Sequence, residues 1–176
     1  VPLTDGEITN HEKVNGELFI QQVKKWLKYF FNTRGELQVT GNSTSIAIGD
    51  GSVLSRPPIE LSAYGSRNKW SFVKGKSVGG QEVVYIFDLT SKAIIRYAGD
   101  GTRNISLENN IDSFIRNNTR FLDGVDTPAW KYGLSGVWNE KRKVAIWTAR
   151  AVNQSKPIWF VILPYQVGDI VWFGNS

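Results

Sequence analysis

The chain has 176 residues, a mass of 19.8 kDa, a formal net charge of +5 and 41% hydrophobic residues, a composition that excludes an intrinsically disordered protein and allows one sizeable core. It has no cysteine, which excludes disulfides, thiolate catalysis and zinc–sulfur sites, and no apolar run long enough to span a membrane. A charge of +5 on this mass is common and indicates no particular anionic partner. Because the sequence also lacks methionine, we expect a processed product or part of a longer polypeptide.

Short runs rich in Val, Ile, Tyr, Phe and Trp alternate with Gly, Asn and Asp, which is typical of an all-β protein. The first segment, ELFIQQVKKWLKYFF at residues 17–31, is ambiguous. Its apolar residues have the spacing of a basic amphipathic helix, but they also fit two strands, Leu18–Gln22 and Trp26–Phe31, with a turn near Lys24 and Lys25. We predict the two strands because they agree with the repeat described next.

Three hairpins are predicted from short polar turns between apolar runs. In chain order, the turns are Asn32–Gly35 in LKYFFNTRGELQVTG, Asp88–Lys92 in VVYIFDLTSKAIIRYAGDG, and Asn139–Lys143 in LSGVWNEKRKVAIWTARA. The second turn joins strands Val83–Phe87 and Ala93–Tyr97. Successive turns begin a little more than fifty residues apart, which predicts a repeat of about fifty residues. Hairpin repeats of this length are typical of β-propeller blades.

Two nearly identical glycine turns, GDGS at residues 49–52 and GDGT at residues 99–102, share this spacing. A calcium loop requires several converging oxygen ligands, whereas each of these loops offers one carboxylate, Asp50 or Asp100. A Walker-type phosphate loop requires four residues between its glycines and then a lysine, which both loops lack. We therefore predict tight turns in which Gly51 and Gly101 adopt positive φ and the aspartate caps the turn.

One helix is predicted in SLENNIDSFIRNN, residues 106–118. Ser106 is its expected N-cap, Glu108 lies in its first turn, and Ile111, Phe114 and Ile115 share one face. This segment is the clearest exception to the strand pattern.

The carboxy-terminal run PIWFVILPYQVGDIVWF, residues 157–173, has few later residues to cover it. Uncovered strand edges pair readily with other chains. We therefore expect Trp159–Leu163 and Ile170–Phe173 to add strands to a neighbouring polypeptide, and the isolated chain to be oligomeric or prone to aggregation.

The sequence predicts no catalytic, cofactor-binding or metal-binding residue. His11, the single histidine, lies in a polar stretch, and GLSGV around Ser135 is one residue short of a nucleophile elbow. The sixteen acidic residues single out no pair of the kind that hydrolyses glycosides. The basic run Lys141–Lys143 lies in a predicted turn, so we expect a solvated tip rather than a nucleic-acid contact. Tryptophans within strand-like runs are expected to pack in the core, namely Trp70, Trp138, Trp147, Trp159 and Trp172.

Six segments follow one another in a recognisable spacing: NHEKVNGELFIQQ, FFNTRGELQV, IAIGDGSVL, YGSRNKWSFV, VVYIFDLTSKAIIRYAGDG and NISLENNIDSFIRNN. This series, over about residues 10–150, resembles large structural proteins of tailed phages, notably the tail or muzzle-type virion proteins of crAss-like phages of gut Bacteroidetes. The matching features are an Asn68–Ser71 strand, a Tyr85–Asp88 hairpin strand and a helix with Phe114 near its middle. The resemblance implies a propeller-like part of a virion component whose relatives are far longer than this chain.

We therefore expect an all-β protein with one or two short helices, arranged as a partial, propeller-like stack of antiparallel hairpins. Residues 1–176 would form a single β-rich domain or a fragment of a larger propeller-like protein. The expected function is structural, in a phage tail, with other virion proteins, segments of the same larger chain or symmetry-related copies as partners. We expect no enzymatic activity, cofactor, membrane contact or nucleic-acid binding. The alternatives are a carbohydrate-binding β module of a receptor-binding tail tip, which would need exposed aromatics beside acids, and a glycan-cleaving enzyme domain.

Overall fold

The structure, a computed structural model, describes residues 3–30, 35–38, 45–48, 57–77, 79–122, 133–151, 155–163 and 170–175. These ranges form fourteen strands: β1 Ile8–Val14, β2 Glu17–Gln22, β3 Trp26–Tyr29, β4 Gly35–Gln38, β5 Ser45–Ile48, β6 Ile59–Ser62, β7 Phe72–Lys76, β8 Glu82–Asp88, β9 Ala93–Ala98, β10 Gly101–Asn104, β11 Gly133–Asn139, β12 Val144–Arg150, β13 Ile158–Leu163 and β14 Ile170–Asn175. The helices are α1 Ile105–Glu108 and α2 Asp112–Thr119, and short 3-10 turns occur at Leu3–Asp5, Lys69–Ser71 and Arg120–Leu122. Of the helices in these ranges, none is long and apolar enough to cross a membrane.

The strands form three four-stranded antiparallel sheets and one separate hairpin. Sheet I has the strand order β1-β2-β3-β6, sheet II the order β7-β8-β9-β10, and sheet III the order β11-β12-β13-β14. Strands β4 and β5 pair only with each other and form the separate hairpin. The prediction of an all-β protein with one or two short helices is confirmed.

In the ambiguous segment, residues 17–29 form the two predicted strands, β2 and β3, joined by a bend at residues 23–24, and Phe31 lies outside the described residues. Phe19 and Trp26 face sheet II, whereas Ile20 and Leu27 pack on the opposite face of sheet I. Because both faces of the pair are buried, the apolar residues do not alternate with polar ones. This loss of the two-residue period is what allowed a helical interpretation.

Two of the three predicted hairpins are confirmed, at Asp88–Lys92 between β8 and β9 and at Asn139–Lys143 between β11 and β12. The Asp88 carboxylate accepts hydrogen bonds from the backbone N–H groups of Thr90 and Ser91, at 2.9 and 3.2 Å. The Asn139 side chain likewise accepts from the N–H of Arg142 at 3.0 Å. Each turn ends on a lysine in the left-handed region, Lys92 with φ of 55° and Lys143 with φ of 53°. The two turns therefore have the same local structure: a side-chain oxygen accepts from the backbone of the turn, and a lysine with positive φ ends it.

The third predicted hairpin is wrong. Strand β3 pairs with β2 and β6, while β4 pairs with β5, so the segments on either side of the proposed Asn32 turn do not pair with each other. Residues 32–34 of the proposed turn lie outside the described residues, and Gly35 is the first residue of β4. The error arose because proximity in sequence favours a hairpin, whereas two other strands compete for both edges of β3.

The predicted repeat of about fifty residues is also wrong, because it is shorter than the spacing between successive sheets. The first strands of sheets I, II and III begin at Ile8, Phe72 and Gly133, which gives a spacing of roughly sixty residues. The Asp88 turn joins the second and third strands of sheet II, whereas the Asn139 turn joins the first and second strands of sheet III. Two similar turns at non-equivalent places produced the shorter apparent period.

The predicted helix is divided into two. Asn104, rather than Ser106, caps α1, and its side-chain oxygen accepts from the N–H of Leu107 at 3.2 Å. The Ser106 hydroxyl is buried and accepts from the N–H of Ile94 on β9 at 2.9 Å. The chain breaks between the helices at Asn110, whose φ is 55°.

The common face predicted for the helix is confirmed, because Ile111 and Ile115 are buried and Phe114 packs against the same core. This core also includes residues of sheets II and III.

Sheet II lies between the other two sheets. On its central strand β8, Val83, Tyr85 and Phe87 pack into the core shared with sheet III and the helices. The alternate residues Val84 and Ile86 pack into a second core shared with sheet I. A strand that is buried on both faces has a continuous run of apolar residues, and the sequence of β8 shows such a run. The described part of the chain is therefore a stack of three sheets with sheet II at its centre.

Candidate functional site

The first strands of the three sheets lie next to one another. On one side of β7, Asn10 of β1 donates from Nδ2 to the carbonyl oxygen of Lys69 at 3.2 Å. Further along, Lys74 Nζ donates to the carbonyl oxygen of Lys13 at 2.6 Å. Residue numbers rise together on both strands, so β1 and β7 run parallel.

Strand β11 lies on the other side of β7 and runs in the same direction. Val73 faces Gly136, and two residues further on Gly75 faces Trp138. Three first strands from three sheets thus run parallel along one edge of the stack.

An open cleft of about 420 Å³ lies where these strands meet. It is lined by seven residues: Glu12, Lys74, Gly75, Lys76, Glu82, Trp138 and Glu140. We call it the first-strand cleft. Each of the three sheets contributes to its wall, so its shape depends on how the sheets pack.

Trp138 forms the apolar surface of the first-strand cleft, and Gly75 allows it to lie there. A Cβ at Gly75 would come within 2.0 Å of Trp138 Cδ2, so the indole rests directly on the β7 backbone. The indole Nε1 donates to Glu140 Oε2 at 2.7 Å. Glu140 also bonds Lys143 at the hairpin tip. These contacts hold the ring in one orientation.

The charges of the first-strand cleft are largely paired. Lys74 Nζ lies 3.5 Å from a carboxylate oxygen of Glu12 and 4.0 Å from one of Glu82. The other oxygen of Glu82 accepts from the backbone N–H of Asn15 at 2.8 Å. Hydrogen bonds from Lys143 and Trp138, with a smaller contribution from the charge of Lys76, lower the pKa of Glu140 below its usual value. The cleft therefore presents fixed carboxylates beside an aromatic ring.

A buried polar network joins sheets I and II beneath this edge. Its centre is Gln21 on β2, whose side chain is fully buried. Gln21 Nε2 donates toward four oxygens: Thr9 Oγ1 at 2.9 Å, the Ser66 carbonyl at 3.1 Å, the Asn68 carbonyl at 3.2 Å and Ser71 Oγ at 3.3 Å. The network satisfies the backbone of the segment that connects sheet I to sheet II. It therefore fixes how β1 and β7 approach each other.

Trp147 joins sheets II and III in a comparable way. Its fully buried indole donates from Nε1 to the carbonyl oxygen of Ser71 at 2.9 Å. Its rings pack edge-to-face against Tyr85 and Phe87 at centroid distances of 5.8 and 6.2 Å. A Cβ at Gly136 would lie 2.5 Å from Trp147 Nε1, so the glycine permits this contact.

Of the two glycine turns, the second lies in the described residues and the first, with Asp50, lies outside them. Gly101 has a φ of 102°, which confirms the predicted turn at residues 99–102. The Asp100 carboxylate accepts from Arg96 Nη1 at 2.9 Å and lies 3.8 Å from Arg103 Nη1. Partial burial raises the pKa of Asp100, but hydrogen bonding and the charge of Arg96 outweigh it, so the net pKa is lowered. In the described residues, no three His, Asp or Glu side chains come together as metal ligands.

The other residues considered in the sequence lie apart from one another. His11 is exposed on β1, and its backbone N–H donates to Asn10 Oδ1 at 2.8 Å. Ser135 is exposed on β11 opposite Thr148. Lys141–Lys143 form the tip of the β11–β12 hairpin, as predicted.

The prediction that the tryptophans pack in the core holds for some and is wrong for others. Trp147 is fully buried, and Trp138 and Trp159 are partly buried. Trp70 and Trp172 are 51% and 46% exposed. Trp70 lies in the 3-10 turn Lys69–Ser71 rather than in a strand, with Lys69 Nζ 5.1 Å from the centre of its ring. Strand-like composition does not distinguish the two faces of a sheet, which explains the error at Trp172, whereas Trp70 lies outside the strands altogether.

Sequence reasoning missed Gln21 and the cleft residues Glu12, Lys74 and Glu82. Gln21 belongs to a polar pair within an apolar run, and that signal alone could have marked a buried amide. Nothing local marks the cleft residues, since they meet only when three sheets pack together.

Comparison with models of protein families gives a match. The family model described as Crassvirus muzzle protein matches residues 4–137. This range covers sheets I and II and continues through most of β11. Among curated proteins, no match was found. The match confirms the resemblance seen in the sequence, and the chain belongs to the Crassvirus muzzle protein family.

Proposed function

We propose that the chain is a propeller-like structural segment of a phage tail that acts through contacts with other virion proteins. Membership of the muzzle protein family supports a structural role in the phage virion. Residues 1–176 would act as one β-rich unit or as a piece of a larger propeller-like protein. Other segments of such a protein, or further copies, would then complete the assembly.

The observation that carries this proposal is the parallel arrangement of the first strands β1, β7 and β11 along one edge of the stack. In a propeller, four-stranded antiparallel blades surround a central channel. Three meandering sheets packed face to face, with parallel first strands on one side, support an arrangement like that of consecutive blades. Such units present long surfaces for protein contacts and need no reactive group.

The chemistry of the first-strand cleft supports a role other than catalysis. A glycosidase requires a general acid whose pKa is raised above its usual value. The pKa of Glu140 is instead lowered, because hydrogen bonds from Lys143 and Trp138 stabilise its carboxylate form. Glu12 and Glu82 both face Lys74, which holds them in ion pairs.

Purified virions provide the test. We expect peptides of this chain in nuclease-treated, density-purified particles, cross-links from it to other virion proteins, and antibody labelling on the tail. The intact mass of the species in the particle would show whether the chain is covalently joined to further sheets. Absence from the particles, or labelling confined to the capsid, would contradict the proposal.

One observation favours a second candidate, saccharide binding in the first-strand cleft. Trp138 is a partly exposed aromatic beside the carboxylates of Glu140 and Glu82, and sugars are held by aromatic faces and charged hydrogen-bond partners. Titration with host-surface oligosaccharides should then quench tryptophan fluorescence in the native chain and fail to do so in Trp138→Ala. No quenching by any glycan of a host-surface panel would remove this candidate.

A further inference from the structure

The turn between β1 and β2 contains the only Asn-Gly pair in the sequence, Asn15 and Gly16. Val14 pairs directly with Glu17, so these two residues form the whole loop. Their φ values are 50° and 81°, and positive φ at both central positions is the property of a type I′ turn. Every other asparagine precedes a residue that has a side chain, so Asn15 alone is followed by an unhindered backbone nitrogen.

The side chain of Asn15 is exposed, and the described residues include no hydrogen-bond partner for its amide. Other asparagine side chains are held in place. The Oδ1 atoms of Asn104 and Asn139 accept from backbone N–H groups at 3.2 and 3.0 Å. Asn118 Nδ2 donates to the carbonyl oxygen of Phe114 at 2.8 Å. The Asn15 amide therefore rotates toward its own backbone without losing a hydrogen bond to the protein.

The backbone nitrogen of Gly16 is the group next to that amide. In a two-residue hairpin the closing hydrogen bonds join the flanking residues, here Val14 and Glu17, and do not use the N–H of the second loop residue. Among the described residues, none accepts a hydrogen bond from the Gly16 N–H. A Cβ on Gly16 would meet nothing within 4 Å, so the turn is surrounded by open space. A nucleophile, an electrophile and room for a ring therefore occur together.

We propose that Asn15 is a site of spontaneous covalent modification, at which the side-chain amide is converted to a carboxylate through a cyclic imide. The Gly16 nitrogen loses its proton to water and attacks Asn15 Cγ, which forms a new C–N bond and closes a succinimide ring. The bond from Cγ to the amide nitrogen then breaks, and this nitrogen takes up a proton and leaves as ammonia. Water opens the ring at either carbonyl, which gives aspartate or isoaspartate. The only co-reactant is water, and nothing is oxidised or reduced.

Both products place a new carboxylate close to Glu82, a residue of the first-strand cleft. Glu82 Oε2 accepts from the backbone N–H of Asn15 at 2.8 Å, and the other oxygen lies 4.0 Å from Lys74 Nζ. Aspartate preserves the turn, because Asp-Gly also suits type I′. Isoaspartate adds one carbon to the backbone of the loop, which then no longer fits between Val14 and Glu17. The modification therefore changes both the charge at the rim of the cleft and the closure of the β1–β2 hairpin.

Peptide mapping of the folded 176-residue chain, incubated at mildly alkaline pH, tests the proposal. We expect Asn15 to be the first asparagine converted, with release of one ammonia per chain and a decrease of one unit from the net charge of +5. Cation-exchange chromatography separates the modified chain, and an isoaspartyl methyltransferase labels the isoaspartate product. The rate should rise with pH, because the attacking nitrogen must lose its proton.

Asn15→Asp is the matched variant, because it retains an Asp-Gly turn but has no amide to lose. The first phase of ammonia release should be absent from it. Gly16→Ala should slow that phase because its Cβ crowds the attacking nitrogen, and circular dichroism and thermal unfolding show whether this variant folds. Asn139 is the internal control, because it also lies in a hairpin turn but precedes Glu140 and has a hydrogen-bonded side chain. It should remain unmodified while Asn15 converts.

Hydrogen exchange of the separated isoaspartate form tests the structural consequence. The backbone amides of β1 and β2 next to the turn should exchange faster than in the unmodified chain, because the hairpin is no longer closed by the Val14–Glu17 pair. The amides of β8, at the centre of sheet II, should keep their protection and serve as the reference.

A folded chain in which Asn15 stays intact while other asparagines convert would overturn the proposal. Conversion that requires unfolding in urea would do the same, because it would show that the turn protects Asn15. Equal ammonia release from Asn15→Asp and wild type would also overturn it, and unchanged exchange in the isoaspartate form would overturn the structural consequence. None of these results depends on the assembly function proposed above, so the two proposals fail separately.

Discussion

The buried amide of Gln21 gives the sharpest test of how sheets I and II are held together. In Gln21→Leu the side chain keeps its approximate size but loses both N–H donors. An amide NH₂ has two hydrogens, so its four oxygen neighbours share about two full hydrogen bonds. Each buried acceptor left unsatisfied costs about 1–3 kcal/mol. We expect the free energy of unfolding to fall by about 2–4 kcal/mol, and Tm to fall by roughly 5–15 °C for a chain of this length.

Urea unfolding followed by tryptophan fluorescence measures this change. Gln81→Leu is the matched control, because Gln81 is exposed in the turn after β7 and the same chemical change should cost less than about 0.5 kcal/mol there. A loss in Gln21→Leu no larger than in the control would refute the assigned role of the network.

Gln21→Glu adds a pH dependence to the same test. The introduced carboxyl would be buried facing the carbonyl oxygens of Ser66 and Asn68, and burial raises the pKa of such a group in the folded state above its unfolded value of about 4.3. When the folded pKa is raised, the variant is most stable below the unfolded pKa and loses stability as pH rises through the folded pKa. We therefore expect Gln21→Glu to be less stable relative to wild type at pH 7 than at pH 4. An equal difference at both pH values would contradict burial of this side chain.

Four further predictions concern single sites. Gly75→Val should displace the Trp138 ring from the β7 backbone, lower the free energy of unfolding by about 1–3 kcal/mol and shift tryptophan emission to the red; unchanged emission would contradict the contact. Burial raises the pKa of Asp88 despite hydrogen bonds from the backbone of Ser91, Thr90 and Gly65. The free energy of unfolding of wild type relative to Asp88→Asn, measured with urea, should therefore rise as pH falls from 7 toward 4. The opposite trend would refute burial of this carboxyl group. Asp100→Asn should cost only about 0.5–1 kcal/mol because its pair with Arg96 is partly screened by water. Since the pKa of Asp100 is lowered, that difference should disappear as pH falls below about 3.8. Calcium should leave Tm unchanged, and a rise of several degrees would indicate a metal site.

The sequence by itself determined the features that depend on near neighbours. Asp88 and Asn139 marked their turns because a short side-chain oxygen can accept from backbone N–H groups two or three residues later, whatever the rest of the chain does. Gly101 marked its turn because glycine adopts positive φ without steric cost. The composition of the strands likewise predicted the all-β class. The spacing of the six segments described above predicted the family, which the family match confirms.

Tertiary structure alone decided which strands pair and which faces are buried. The edges of β3 were available to several strands, and the long-range pairing with β6 prevailed over the nearer β4. Trp147 and Trp172 lie in similar strand-like runs, but one faces sheet II and the other faces away from it. The first-strand cleft forms only where three sheets meet. The physical reason is that turn and strand preferences are set within a few residues, whereas burial is set by surfaces that the chain brings together from positions more than sixty residues apart.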